Sequence, residues 1–204
     1  LWFRGSGVDR FARNFLDIAL WGEFFPRFLT GAKNTIILSV AGGALGMALG
    51  LLIALFSMSK RAVVRAPARI YINFFRGTPL IWQLSFAGLG VVTALRLGWF
   101  SGTEGPYRVA ILVLGLNLAA YSAEVYRAGI QSLERGQIEG ARSLGLSYFQ
   151  AMRYVIIPQA VRRVIPPLTN EFVILIKDTS LVVVLGLAFA QKELRGVGRE
   201  IYSA

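Results

Sequence analysis

The chain has 204 residues, 55% of them apolar and 16% charged. That apolar share exceeds the ~45 to 50% of soluble domains, so a soluble globular protein is not the expectation. Twenty-two Lys and Arg against 11 Asp and Glu leave +11, a balance that would point to nucleic acid only if the charges gathered on one soluble face. With no Cys and no His, disulfide frameworks, thiol chemistry, His-based metal sites and Ser-His-Asp catalysis are excluded together.

Residue 1 is Leu rather than Met, and no short apolar run precedes a small-residue cleavage site. No signal peptide is therefore expected, and the chain reads as a fragment. Residues 1–33 are expected to form an N-terminal interfacial segment. Residues 36–57 are 22 in number and uncharged, enough at ~1.5 Å per residue to cross a hydrocarbon core of ~30 Å as one helix. Gly42, Gly46 and Gly50 recur along it, with Ala44 and Ala48 on a nearby strip. This smooth face predicts close packing against another helix of the same chain.

Lys60, Arg61, Arg65 and Arg69 follow with no acidic residue among them, which places this loop on the cytoplasmic side. A second uncharged stretch of 19 residues, 77–95, is expected to cross outward. Arg76, in the aromatic and basic segment before it, is expected to snorkel to the headgroups. Residues 96–108 carry Gly98, Gly102, Gly105 and Pro106 and a net charge of +1, as an external loop would. A third crossing, 109–123, has a Gly115-x-x-x-Ala119 spacing and returns the chain to the cytoplasm. Trp82, Trp99 and Tyr107 are expected as interfacial anchors. Glu124 and Arg127, three residues apart on one helix face, predict a local ion pair.

Between residues 124 and 166 six Arg face three Glu, a net of +3, again cytoplasmic in sign. A fourth membrane region, 165–191, opens with Pro166-Pro167 and holds Glu171, Lys177 and Asp178, so it should be broken or line a polar path. Each such charge costs ~2.5 to 3.5 kcal/mol in a bilayer and must face protein or water. Two readings follow. One is a structural ion pair between helices. The other is a substrate path in which Glu171 or Asp178 holds an ammonium group, with Lys177 offering the opposite sign and Asn170, Thr179 and Ser180 supplying hydrogen bonds. Residues 192–204 read as a loop, and four crossings from an external N-terminus leave that tail outside. No internal repeat is evident, which weighs against an inverted-repeat carrier.

The stretch from Gly136 to Ser147 and on to Pro158 reads as helix, turn, helix. Gly145 can end the first helix in a left-handed conformation, Ser147 with Gln150 fits a capping box, and Pro158 should limit or kink the second. Glu139-Gly140-Ala141, three residues, Gly145, nine residues and Val155-Ile156-Ile157-Pro158 resemble the cytoplasmic EAA loop of ABC importer membrane subunits. The one departure is Gly140, where the family usually has Ala. Further segments resemble its polar amino acid uptake branch: Phe75-Arg76-Gly77-Thr78-Pro79-Leu80, residues 120–132, Pro158-Gln159-Ala160 and Lys177-Asp178-Thr179-Ser180-Leu181. The resemblance runs over residues 34–202.

It implies an all-α, multi-pass helical bundle, one permease domain over residues 1–204, in a bacterial cytoplasmic membrane. It also implies pairing with a second permease chain, identical or related, and an amino acid received from an external binding protein. Two cytoplasmic ATPases would dock on the loop at 132–158, whose motion is passed to the membrane helices. Glu139 would pair with an ATPase side chain or brace the loop. Gly140, Ala141 and Gly145 would allow close approach, and Leu146 and Ser147 complete the coupling segment. Such subunits have five crossings, and the expected fifth is absent here, which fits a truncated chain. The chain contains no Gly-x-x-x-x-Gly-Lys-Ser/Thr loop, so ATP hydrolysis is expected to belong to a partner subunit; no cofactor, metal or nucleic acid is expected. The rival readings are an ion-coupled carrier using Glu171 and Asp178 directly, and a basic nucleic-acid-binding module.

Overall fold

In the computed structural model, residues 18–92, 94, 98–100, 102–133, 135–186, 192, 195 and 197 are described. Helix α1 runs Ile18–Ser57, 40 residues. An uncharged segment in hydrocarbon must satisfy its backbone internally, and the helix does so. Residues 18–33 of the expected interfacial segment are helical and continuous with the crossing; residues 1–17 of that segment lie outside the described residues. The helix closes where Ser57 Oγ donates to the Ala54 carbonyl at 2.8 Å, just before the Lys60-Arg61 turn.

Helix α2, Ala62–Gly77, is amphipathic and buries Ala68 and Ile72, Ile72 packing with Ala54 of α1 and Ala123. Tyr71 adds a tether: its hydroxyl donates to the Leu116 carbonyl at 2.6 Å. The chain then breaks. Thr78 is extended (φ −118°, ψ 142°), as expected of a residue preceding proline. Helix α3, Leu80–Ser85, starts after Pro79 and continues as a π-helical stretch, Phe86–Val92. The crossing expected at 77–95 therefore begins at Leu80, after the break, and residues 80–92 and 94 are helical. Residues 93 and 95 of the expected crossing lie outside the described residues.

Helix α4, Gly105–Gln131, has 27 residues and a proline at its start, where the missing N–H costs nothing. It extends past the expected 109–123 at both ends, and Glu124, inside its C-terminal part, is neutralised locally. Arg127 donates through Nε to the Glu124 carboxylate at 3.1 Å and through Nη1 to Gln131 at 2.8 Å, the local pair the spacing predicts.

α1 and α4 form the central pair. A Cβ on Gly42 would lie 3.3 Å from the Leu114 Cβ, on Gly46 2.7 Å from the Leu118 Cβ, and on Gly50 2.7 Å from the Ser122 Cβ. The glycine stripe is thus an intramolecular seam. From the facing side a Cβ on Gly115 would lie 2.6 Å from Leu45. Leu38, Leu84, Leu114, Leu118, Leu175 and Val182 form the heart of the core.

Helix α5, Arg135–Ser143, and helix α6, Tyr148–Ala151, form a hairpin. A π-helical turn, Met152–Ile156, leads into helix α7, Ile157–Asp178, and a 3₁₀ segment, Thr179–Leu185, ends at left-handed Gly186. Pro158 therefore does not end the second helix. It sits in the first turn of α7, behind the π turn, where a missing donor is tolerated. The fourth region likewise begins eight residues before 165, with Pro166 and Pro167 inside α7. Its break falls at Thr179, and residues 187–191 lie outside the described residues, as does most of the tail. Among the described residues, two helices, Phe24–Ser57 and Gly105–Gln131, are long and apolar enough to cross a membrane. α7 is long enough but carries Arg162, Arg163, Glu171, Lys177 and Asp178.

Candidate functional site

The hairpin of α5 and α6 is built by local chemistry. Gly145 adopts φ +86°, the Leu146 N–H donates to the Ala141 carbonyl at 3.2 Å and the Gly145 N–H to the Arg142 carbonyl at 2.9 Å, a Schellman closure. Two residues on, Ser147 Oγ accepts from the Gln150 N–H at 3.3 Å and Gln150 Oε1 accepts from the Ser147 N–H at 2.9 Å, the reciprocal capping box. Ala141 is buried beneath the turn, whereas Glu139, Gly140, Gly145 and Ser147 are exposed and Leu146 half-buried. Around them large apolar side chains lie bare: Leu144 is 86% and Phe149 71% exposed. The Glu139 carboxylate has no partner among the described residues; its carbonyl accepts from Ser143 Oγ. Where the chain leaves α4 for the hairpin, Arg163 of α7 donates through Nη1 to the Ser132 carbonyl and, at 3.0 Å, to its hydroxyl. The hairpin itself is tied to α7 by Gln159, which donates to Gln137 at 3.3 Å.

The second site is a cavity of about 450 Å³ at the break between α2 and α3. Arg76 and Thr78 line it from the break, Asn117 and Tyr121 from α4, and Glu171 and Asp178 from α7. Arg76, expected at the headgroups, instead enters this cavity with its guanidinium 5.3 Å from the centre of the Tyr121 ring, a cation–π distance. The break exposes carbonyls at the end of α2, and one side chain satisfies them. Gln83 Nε2 lies 2.9 Å from the Phe75 carbonyl, 3.0 Å from that of Thr78 and 2.8 Å from Thr78 Oγ1. Asn117 Nδ2 donates to Gln83 Oε1 at 3.0 Å. Both amides are almost fully buried, 4% and 8% exposed. This network pins the broken helix against α4.

Of the residues expected on the substrate path, only Glu171 and Asp178 line the cavity. Asn170 and Lys177 are exposed on other faces of α7, because neighbouring positions on a helix point about 100° apart. Thr179 is buried and spends its hydroxyl on the Ile176 carbonyl at 2.7 Å, while the Ser180 carbonyl accepts from Arg195 at 3.2 Å. Neither lines the cavity, since the helix tightens to 3₁₀ at that point. Among the described residues the ion pair within 4.0 Å is Glu124 with Arg127, while Glu171 and Asp178 share the cavity with Arg76 of another helix. Arg76, Thr78, Asn117 and Tyr121 went unrecognised as lining residues, although Gly77-Thr78-Pro79 and Gln83 inside an apolar run signal a helix break with a polar partner. Trp82 stacks on Phe86 at 5.0 Å and stays partly exposed, Trp99 carries Arg108 over its ring at 4.7 Å, and Tyr107 donates inward to the Asn34 carbonyl at 3.4 Å.

Comparison with known proteins gives consistent relatives. Residues 46–193 match the family described as binding-protein-dependent transport system inner membrane component. The arginine transport system permease protein ArgU of Corynebacterium glutamicum is 40% identical over 169 residues, 79% of this chain and 54% of that protein. The chain thus spans about half the length of this relative. The nopaline transport system permease protein NocM of Agrobacterium fabrum is 35% identical, covering 93% of this chain and 78% of its own. The glutamine transport system permease protein GlnP of Escherichia coli is 37% identical, covering 90% and 80%. Among solved structures, an amino acid ABC transporter chain superposes with a TM-score of 0.79 at 36% identity, over 93% of this chain and 83% of that one. The MetNI methionine ABC transporter, at 19% identity and TM-score 0.64, shares the fold.

Proposed function

The chain belongs to the binding-protein-dependent transport system inner membrane components, as an amino acid ABC permease, and from that membership we propose how its two sites divide the work. The cavity beside Arg76, Glu171 and Asp178 holds the amino acid during passage, offering a cation for the carboxylate and carboxylates for the ammonium. The hairpin of α5 and α6 docks a cytoplasmic ATPase, which hydrolyses ATP in a partner subunit. A second permease chain completes a complex with two ATPases, and an extracytoplasmic binding protein delivers substrate across a bacterial cytoplasmic membrane.

The observation that carries the docking reading is the uncovered apolar tip, Leu144 and Phe149, presented on a turn that its own hydrogen bonds hold rigid. Exposed apolar side chains grouped on a preformed element mark an interface. α7 links that tip to the cavity, since it follows the hairpin through the π-helical turn Met152–Ile156 and carries Glu171 and Asp178. Movement imposed on the hairpin therefore reaches the cavity wall.

The test is co-purification in detergent of the full-length permease with its ATPase, for the wild type and for Glu139→Lys combined with Gly145→Arg. Arg at φ +86° strains the turn, a cost of ~1 to 3 kcal/mol. The double variant is expected to lose the ATPase while keeping its elution profile. Retention of the ATPase by that variant would sink the docking assignment.

A further inference from the structure

Between Glu23 and Glu104 the chain has no acidic residue, and four of the eight basic residues in that span, Lys60, Arg61, Arg65 and Arg69, fall within ten positions. α1 ends at Ser57, so the cluster starts within one turn of the end of a membrane crossing. α2 then dips back along the bundle, where Ile72 packs with Ala54 of α1. Arg61 caps the start of α2. Arg65 and Arg69, four residues apart, lie about 40° from each other on one flank of it.

The other side of the same helix is apolar and bare. Val63, Ile70 and Phe74 fall within about 40° of one another there, with Val63 86% and Ile70 68% exposed. The strip continues past the break: the Phe74 ring meets Trp82 edge-on at 6.3 Å, and Trp82 stacks on Phe86. All three rings stay exposed.

The cations are not neutralised within the chain. Among the described residues the Arg61 and Arg69 guanidinium groups have no partner. Arg65 donates only to neutral groups, the Ser59 and Lys60 carbonyls at 3.2 and 3.5 Å. An acidic protein surface would match the arginines and leave the apolar strip unexplained. An anionic amphiphile matches both. Helices with basic and apolar faces lie in the membrane interface, and a basic cluster beside a crossing attracts anionic headgroups.

We propose that the start of α2 is a binding site for anionic phospholipid, with Arg61, Arg65 and Arg69 holding headgroup phosphate and the strip from Ile70 to Trp82 lying against acyl chain. Guanidinium groups suit this work, because their fork of donors matches phosphate oxygens. Lipid held here fixes the start of the helix whose far end carries Arg76 to the cavity wall. It leaves the cavity and the hairpin free for the roles given above.

The detergent-purified complex of full-length permease and ATPase is titrated with palmitoyl-oleoyl phosphatidylglycerol or the matching phosphatidylcholine, and native mass spectrometry counts the lipids bound. Wild type is expected to bind the phosphatidylglycerol at least about fivefold more tightly, the scale of one basic side chain at an anionic surface. Arg61→Gln combined with Arg65→Gln and Arg69→Gln is expected to remove that preference by weakening phosphatidylglycerol and sparing phosphatidylcholine. Equal affinity of wild type for the two lipids, or an undiminished preference in the triple variant, would overturn the proposal. Loss of the ATPase from a triple variant that still prefers phosphatidylglycerol would assign the face to a protein partner instead. Should the triple variant not elute as the intact complex, Arg69→Gln alone, at an exposed position, takes its place, and a wild-type preference in it overturns the proposal equally.

Discussion

Gly46→Leu is expected to stop α1 and α4 from pairing and to remove most of the folded protein. The Cβ alone would sit 2.7 Å from the Leu118 Cβ and 2.9 Å from the Gly115 carbonyl oxygen, and the second of these is backbone. Neither neighbour can move without prising the two central helices apart. Overpacking in a well-formed core costs ~1 to 3 kcal/mol when side chains can adjust, and more when they cannot. A membrane pair held by close backbone approach has little else to replace that contact. Gly22→Leu, on the same helix with nothing within 4 Å of its Cβ position, is the matched control. The measurement is the yield of monodisperse protein and its melting temperature in detergent. Equal values for Gly46→Leu and wild type would contradict the seam.

Gln83→Leu is expected to leave assembly with the ATPase intact and to lower transport at least about tenfold, the scale of a small misplacement at a binding site. Leucine nearly matches glutamine in volume, so packing is kept while the polar function is lost. The carbonyls of Phe75 and Thr78 and the Asn117 amide then lose their shared partner, at ~1 to 3 kcal/mol for each buried group left unpaired. The break relaxes and Arg76 leaves its place over Tyr121. Asn117→Ala should weaken transport alone but add little to Gln83→Leu, because both act through one network. Uptake into proteoliposomes carrying the complete transporter reads the effect. Wild-type uptake by Gln83→Leu, or fully additive losses in the double variant, would show that the network does not position the site.

The parts of this protein legible in its sequence are those fixed by neighbours a few residues apart. Gly145 followed by Ser147 and Gln150 specifies a Schellman turn and a capping box within one stretch, and both are present. The Glu124–Arg127 pair is of the same kind. The glycine stripe announced a close helix contact, though Leu114, Leu118 and Ser122 as its partners lie more than sixty residues away. At residues 77–95 hydropathy finds the apolar run but not its start, because Thr78-Pro79 breaks the chain there. For the same reason it places Arg76 at the headgroups, whereas the break sets it on the cavity wall.

Composition and the run at 36–57 were therefore enough to determine a helical membrane chain, and the residues from Glu139 to Pro158 a hairpin on its Arg-rich segment; the permease assignment came from resemblance. Local hydrogen bonds and the insolubility of bare backbone in lipid leave few alternatives to those features. The cavity was decided by tertiary structure alone. Whether Glu171 or its neighbour Asn170 faces Arg76 depends on how α7 is rotated against α4. That rotation is set by packing such as Phe172 against Gly43 and Val164 against Gly129, contacts between residues far apart in the chain.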